Sequence, residues 1–214
     1  MLLPASRYRD PVPSPERVTS VSDSGVDRRQ LGVLVQRYYA HDVEGRRHAT
    51  TVAQIALGLG VALGLPRSEL VPLRVGALLH DIGKLAVPAT LLESPRQLTA
   101  DEWVIVRAHS VAGESLVSGY VRHPAVRAVI RWHHERPDGR GYPDGLGGDE
   151  IPLVARIVAV ADAYDAMVAE RPYSAARTPH EAVMEALACA GRQLDASCVA
   201  PLNDVVASAR LAAA

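Results

Sequence analysis

Nitrogen and oxygen donors recur through the middle of the chain: Glu44, His48, His80-Asp81, His109, His133-His134, Asp162 and Asp165. Neutral imidazoles and carboxylates are natural ligands of divalent metal ions. No cysteine stands among them, which excludes a thiolate zinc site, and Cys189 and Cys198 form no C-x-x-C pair. The neighbours of these donors are apolar at helical spacing. His48 continues the stripe of Val52, Ile55 and Leu59, with Glu44 one turn earlier. His80-Asp81 closes the run Val75-Gly76-Ala77-Leu78-Leu79, and His109 aligns with Ile105, Ala112 and Leu116. His133-His134 follow Val126, Val129 and Ile130, while Asp162 lies four after Val158 and Asp165 four after Ala161. Each group is therefore expected to point inward. Burying a polar group unpaired costs several kcal/mol, and a bare carboxylate far more. A cluster of metal ions offers a shared partner. Taken singly, each has a plainer reading: a hydrogen-bonded core histidine, a solvated Glu44–His48 pair, a His133-His134-Glu135 surface patch, or Asp162 and Asp165 paired with Arg156. Their conjunction on successive helices favours metal. His41, His123 and His180 lack such placement and are expected at the surface or in caps.

The elements that must position these donors read as helices almost throughout. Leu31, Leu34, Val35 and Tyr38 recur at helical spacing, and a second helix carries Val52 to Ala62. Pro66 punctuates, and Ser68 opens a third helix running to His80. From His48 that second helix runs about 16 residues, roughly 24 Å at about 1.5 Å per residue. The return helix then brings His80-Asp81 back beside His48. Thr99-Ala100-Asp101-Glu102 is a capping box that predicts a helix from about residue 100 to 118. Pro124 starts another, reaching His134. A turn-rich loop from Arg136 to Pro152 follows, with Gly139, Gly141, Gly145, Gly147 and Gly148. Leu153 to Val168 is a helix, Thr178-Pro179-His180-Glu181 is a second capping box, and a last helix follows Asp195. The expected fold class is all-α. Residues 1–27, rich in Pro, Ser and Arg, are expected to form a flexible N-terminal arm before a domain over 28–214.

Composition narrows the function classes. With 23 basic and 24 acidic residues, the chain lacks the positive excess of a DNA- or RNA-polymer binder or a membrane-surface protein. The first residues carry no apolar stretch long enough for a signal peptide, and no run of about 18 apolar residues exists, so a cytoplasmic, reduced protein without a membrane span is expected. Apolar residues make up 48% with no Phe, which demands an aliphatic core. Lys84 is the one lysine, three residues after His80-Asp81.

From about Arg46 to Val206 the chain resembles the HD-GYP family, a branch of the HD-domain metal-dependent phosphohydrolases. The resemblance is carried by His48-Ala-Thr-Thr-Val, Leu78-Leu-His-Asp-Ile-Gly-Lys84 and His109-Ser-Val-Ala-Gly113. It continues through His133-His-Glu-Arg-Pro-Asp-Gly-Arg-Gly-Tyr-Pro-Asp-Gly145, Ile151-Pro-Leu, Arg156 to Asp165, and Arg171-Pro-Tyr173. It implies an HD-domain helical bundle with a Gly-rich GYP loop and a bacterial phosphodiesterase that hydrolyses cyclic di-GMP to linear pGpG and often GMP. It implies two or three metal ions, usually iron or manganese, with the N/O donor set also admitting Zn, Ni or Mg. His48, His80, Asp81, His109, His133, His134 and Asp162 match the family's ligand positions, and Glu44 matches a carboxylate found with a third ion. Lys84 matches a phosphate-contacting lysine, and Asp165 and Arg171 match substrate-side positions. Ser174 stands where many members carry a basic residue. Only a short segment precedes the match, so a stand-alone member is expected.

Two-metal chemistry would have a hydroxide attack phosphorus in line with the leaving 3′ oxygen. Asp81 is the candidate to bridge two ions, with His80-Asp81 and Lys84 as the catalytic set. Lys84 would stabilise a phosphoryl oxygen, while Gly141 and Tyr142 of the GYP loop would shape the substrate mouth. Two alternatives stand beside this reading. One is an HD phosphohydrolase acting on another nucleotide. The other is a catalytically weak cyclic di-GMP-binding module that docks on a regulatory partner such as a GGDEF domain. A homodimer is compatible with each.

Overall fold

The computed structural model describes residues 28–39, 43–169 and 176–213. The expected arm over 1–27, and with it His41, Arg171 and Ser174, lies outside the described residues. Eleven helices follow one another there: α1 Arg28–Tyr39, α2 Val43–Ala62, α3 Arg67–Leu79, α4 Ala89–Leu92, α5 Ala100–Arg107, α6 His109–Val117, α7 Pro124–Trp132, α8 Leu153–Val168, α9 Pro179–Cys189, α10 Ala196–Val199 and α11 Leu202–Ala213. Short 3₁₀ turns span Ile82–Ala86 and Gly148–Glu150. No strand occurs among the described residues beyond one isolated bridge between Ala190 and Leu194. The fold is all-α, and no described helix is long and apolar enough to cross a membrane.

The helix boundaries follow local chemistry. Thr99 caps α5 and Thr178 caps α9, each as a full capping box with Glu102 and Glu181. Asp195 accepts from the Cys198 amide and caps α10. The helix expected after Asp195 is broken near Pro201, which has no N–H to continue it, and α11 starts afresh. The helix expected over 100–118 is likewise two helices, divided at Ala108. His109 Nδ1 lies 2.8 Å from the Val106 carbonyl, and Ser110 Oγ donates to the Arg107 carbonyl at 3.3 Å. Side chains thus take carbonyls that an unbroken helix would give to amides.

Burial falls into two groups. The larger core joins Val52, Ile55, Ala56 and Leu59 of α2 to Leu73 and Ala77 of α3, Ile157, Val158 and Ala161 of α8, and Ala186, Val199 and Leu202 beyond. The smaller core gathers Tyr38, Leu79, Ile82, Val117, Val121, Val126 and Ile130. With no Phe available, only Tyr38 and Tyr164 among the described residues bring aromatic rings into the buried apolar set. Helix α2 packs against α3 and α8, and α3 against α7. The antiparallel return works as expected: the His48 and His80 rings lie 5.3 Å apart.

Candidate metal centre

Five elements deliver donors to one end of the bundle. His48 comes from the first turns of α2, His80-Asp81 from the end of α3, His109 from the start of α6, His133-His134 from the end of α7, and Asp162 from α8. They assemble as two groups whose donor atoms lie within 4.8 Å of one another: Asp81, His109, His133 and His134 in one, His48, His80 and Asp162 in the other. Asp81 spans the two. Its Oδ2 is 3.4 Å from His80 Nε2, and its Oδ1 is 3.4 Å from His109 Nε2.

The backbone dictates which nitrogen faces the centre. His80 Nδ1 lies 2.8 Å from the Ala77 carbonyl, His109 Nδ1 2.8 Å from that of Val106, and His133 Nδ1 3.0 Å from that of Val129. A carbonyl only accepts, so in each ring Nδ1 carries a proton, and whenever the ring is neutral Nε2 is left as a lone-pair donor. The consequence is two Nε2 lone pairs, on His109 and His133, facing each other at 3.4 Å. His80 Nε2 is buried without a hydrogen-bond partner. Lone pairs gathered in this way suit a cation, and a divalent metal ion fits both the donor types and the bonds that their Nδ1 atoms make to the backbone.

The electrostatics agree. Burial, reinforced by neighbouring imidazoles, pushes His133 well below its ordinary value, and burial pushes His134 down to about 4. Burial also lowers His109. These three rings stay neutral, as ligation requires. Burial opposes a charge on His48 too, but its hydrogen bonds to Asp162 and Asp165 raise it to about 9. Asp81 is ionised: burial resists this, but His80 and Lys84 overcome it. Lys84 Nζ donates to Asp81 Oδ2 at 2.5 Å.

Other expected residues are placed differently. Glu44 stands apart from the two donor groups. Its side chain is 73% exposed and pairs with Arg47, and it joins neither donor group. At its position near the start of α2, the guanidinium three residues on holds the carboxylate at the solvent face. Asp165 is buried, and its Oδ2 lies 2.6 Å from His48 Nδ1. That contact orients the His48 ring. Arg156 bonds Asp149 and Asp195, leaving Asp162 and Asp165 to the imidazoles. Gly141 packs against backbone, since a Cβ there would stand 2.4 Å from Glu135 Cα. Tyr142 does overlie the centre, with its ring centroid 4.7 Å from that of His134.

A family model described as an HD domain matches residues 34–198. The chain belongs to the HD-domain family. Among curated relatives, this HD domain is 47% identical over 139 residues to the cyclic di-GMP phosphodiesterase response regulator RpfG of Xanthomonas campestris, covering 64% of this chain and 37% of that one. It is 34% identical over 177 residues to 3'3'-cGAMP-specific phosphodiesterase 2 of Vibrio cholerae, covering 79% and 34%. It is 36% identical over 154 residues to a cyclic di-GMP phosphodiesterase of Thermotoga maritima, covering 71% and 42%. The chain thus spans about a third of the length of such relatives. The fold is also that of a V. cholerae cyclic GMP-AMP phosphodiesterase, with a TM-score of 0.65 at 20% identity over 84% of this chain and 49% of that one.

Sequence reasoning overlooked the residues that hold the GYP loop to the HD domain. Buried Glu135 accepts the amides of Asp144 and Gly145 through Oε1, at 2.7 and 3.0 Å. Arg131 grips Asp144 with Nε and Nη2, and Trp132 Nε1 donates to the same carboxylate at 2.7 Å. The signal was present, because Arg131, Trp132 and Glu135 flank the His pair. Their partners sit about ten residues on in an irregular loop, where no periodicity links them.

Proposed function

We propose that this HD domain is a metal-dependent phosphodiesterase of the HD-GYP branch that opens cyclic di-GMP to linear pGpG, with GMP as the further product. The observation that carries the reading is the pair of donor groups sharing Asp81, with Lys84 beside it and the Gly141-Tyr142-Pro143 loop above. His48, His80 and Asp162 would hold one ion, and His109, His133 and His134 the other, with Asp81 between them. Divalent ions supply the acidity that turns water into a nucleophile at neutral pH, and charge to offset that of the phosphoryl oxygens. Iron or manganese suits this N/O set. With Glu44 turned to solvent, two ions rather than three are favoured.

The chain's own side chains do the remaining work. Asp165 fixes the His48 ring through Nδ1. Lys84 sets an ammonium at the edge of the centre, where it holds Asp81 and faces a phosphoryl oxygen. Tyr142 covers His134 and narrows the mouth. The reaction is displacement at phosphorus: water adds, and the 3′ oxygen departs with a proton. A cytoplasmic location accords with two free cysteines.

The relatives named for 3'3'-cGAMP favour that mixed dinucleotide as the second reading. The test is a substrate panel on protein purified anaerobically with Fe or Mn: cyclic di-GMP, 3'3'-cGAMP and cyclic di-AMP. Turnover is expected for cyclic di-GMP foremost and is expected to vanish in the His80→Ala, Asp81→Ala double variant. Activity that survives the double substitution would overturn the site.

A further inference from the structure

Helix α5 has no buried residue, yet its last residue, Arg107, lies over the ring of Tyr142, which neighbours His134. It carries Trp103 and Arg107 one turn apart, with Trp103 46% exposed. The Arg107 guanidinium carbon is 5.9 Å from the Trp103 ring centroid and 5.3 Å from that of Tyr142. Tyr142 in turn lies 4.7 Å from His134. A continuous file of flat groups therefore runs from the surface to a candidate metal ligand: indole, guanidinium, phenol, imidazole. No carboxylate among the described residues pairs with Arg107, so its charge is not spent on structure.

We propose that Arg107 and Trp103 form an outer substrate subsite, the guanidinium taking the phosphodiester that is not being cleaved and the indole face taking a purine base. The proposal rests on the reading of the site as a cyclic dinucleotide phosphodiesterase. Such a substrate carries two phosphodiesters on opposite sides of its ring, so when one is at the metal centre the other projects towards the mouth. A guanidinium resting on aromatic faces keeps its in-plane N–H donors for phosphate oxygens. An exposed indole beside a nucleotide site offers a stacking surface to any base. Thr99 and Glu102 cap α5, and Arg96 grips Glu102, so the helix is held by its start and leaves Trp103 and Arg107 free to serve the ligand.

The test compares Arg107→Ala, Arg107→Lys and Trp103→Ala with the parent protein, all metal-loaded. Two substrates are used: cyclic di-GMP, and bis(para-nitrophenyl) phosphate, which has one diester and no purine. Arg107→Ala is expected to raise KM for cyclic di-GMP about tenfold or more with kcat within about twofold, and Trp103→Ala to raise it about fivefold or more. Arg107→Lys recovers part of the loss, and the small diester reacts unchanged in every variant. Quenching of Trp emission by cyclic di-GMP is expected in the parent and lost in Trp103→Ala. An unchanged KM for cyclic di-GMP overturns the subsite. An equal loss on both substrates overturns it too, because the side chains would then act only by propping Tyr142 and His134. A parent protein that cleaves the small diester but no cyclic dinucleotide sinks the substrate reading itself and the subsite with it, an outcome distinct from the other two.

Discussion

An imidazole offers two nitrogens, and in four of the five rings of this centre one of them is committed to the protein. His80, His109 and His133 spend Nδ1 on backbone carbonyls three or four residues earlier, and His48 spends it on Asp165. Outer partners of this kind typically govern metal affinity 10- to 100-fold. Asp165→Ala is therefore expected to weaken metal binding at the His48, His80 and Asp162 group by about 10-fold or more, read by competition with a metal indicator. A substitution that left metal binding intact but raised KM would return Asp165 to the substrate side. His48 also makes that group pH-sensitive. Its proton, held up to about pH 9 by Asp162 and Asp165, must leave before a metal binds. Metal affinity there is expected to rise as pH increases towards 9, with proton release detectable by calorimetry in buffers of different ionisation enthalpy.

Helix ends, rather than helix middles, present most of the donors. His80 caps the end of α3, α6 begins at His109, and His133 caps the end of α7. The 3₁₀ turn after Asp81 then passes so close to α6 that a Cβ on Gly83 would fall 1.8 Å from the His109 carbonyl oxygen. Backbone cannot yield there as a side chain would. Gly83→Ala is expected to cost about 3 kcal/mol or more in chemical denaturation, at or beyond the usual range for overpacking. Beyond α7, the GYP loop hangs on Glu135, whose carboxylate serves two loop amides. Glu135→Ala is expected to speed hydrogen exchange at the Asp144 and Gly145 amides while leaving α2 and α8 protected. Unchanged loop exchange would show that Arg131 and Trp132 suffice to hold Asp144.

Across the whole molecule, the centre gathers charge that metal-free protein must bear alone. His134 is depressed to about 4, so the unfolded chain binds more protons between about pH 6.5 and 4, and stability is lost as pH falls through that window. His48 has the opposite sign: its contribution is complete below about 6.5 and is lost as pH rises through 9. Chelator-treated protein is expected to be most stable near pH 6.5. Added Mn²⁺ at one hundred times Kd is expected to stabilise the fold by about 2.7 kcal/mol and so to raise the melting temperature. A calorimetric scan without a metal-dependent shift would argue against the centre. The net charge of −1 suits such a site. It lacks the broad cationic face that a polymer needs, while a small dianionic ring can be met by ions and a few side chains.

By itself, the sequence determined the all-α class, the capping boxes at Thr99 and Thr178, and the aliphatic core. All of these follow from local propensity and from the 3.6-residue period, which a linear chain displays. Tertiary structure alone decided the rest. Glu44 and Asp165 share a helical phase with ligand candidates, yet one faces water beside Arg47 and the other backs His48 from a distant helix. The α5–α6 break, the Glu135 hold on its loop, and the file from Trp103 to His134 depend on partners that come together only on folding. Periodicity groups side chains by helical phase; only packing determines which way each one faces and what it meets there.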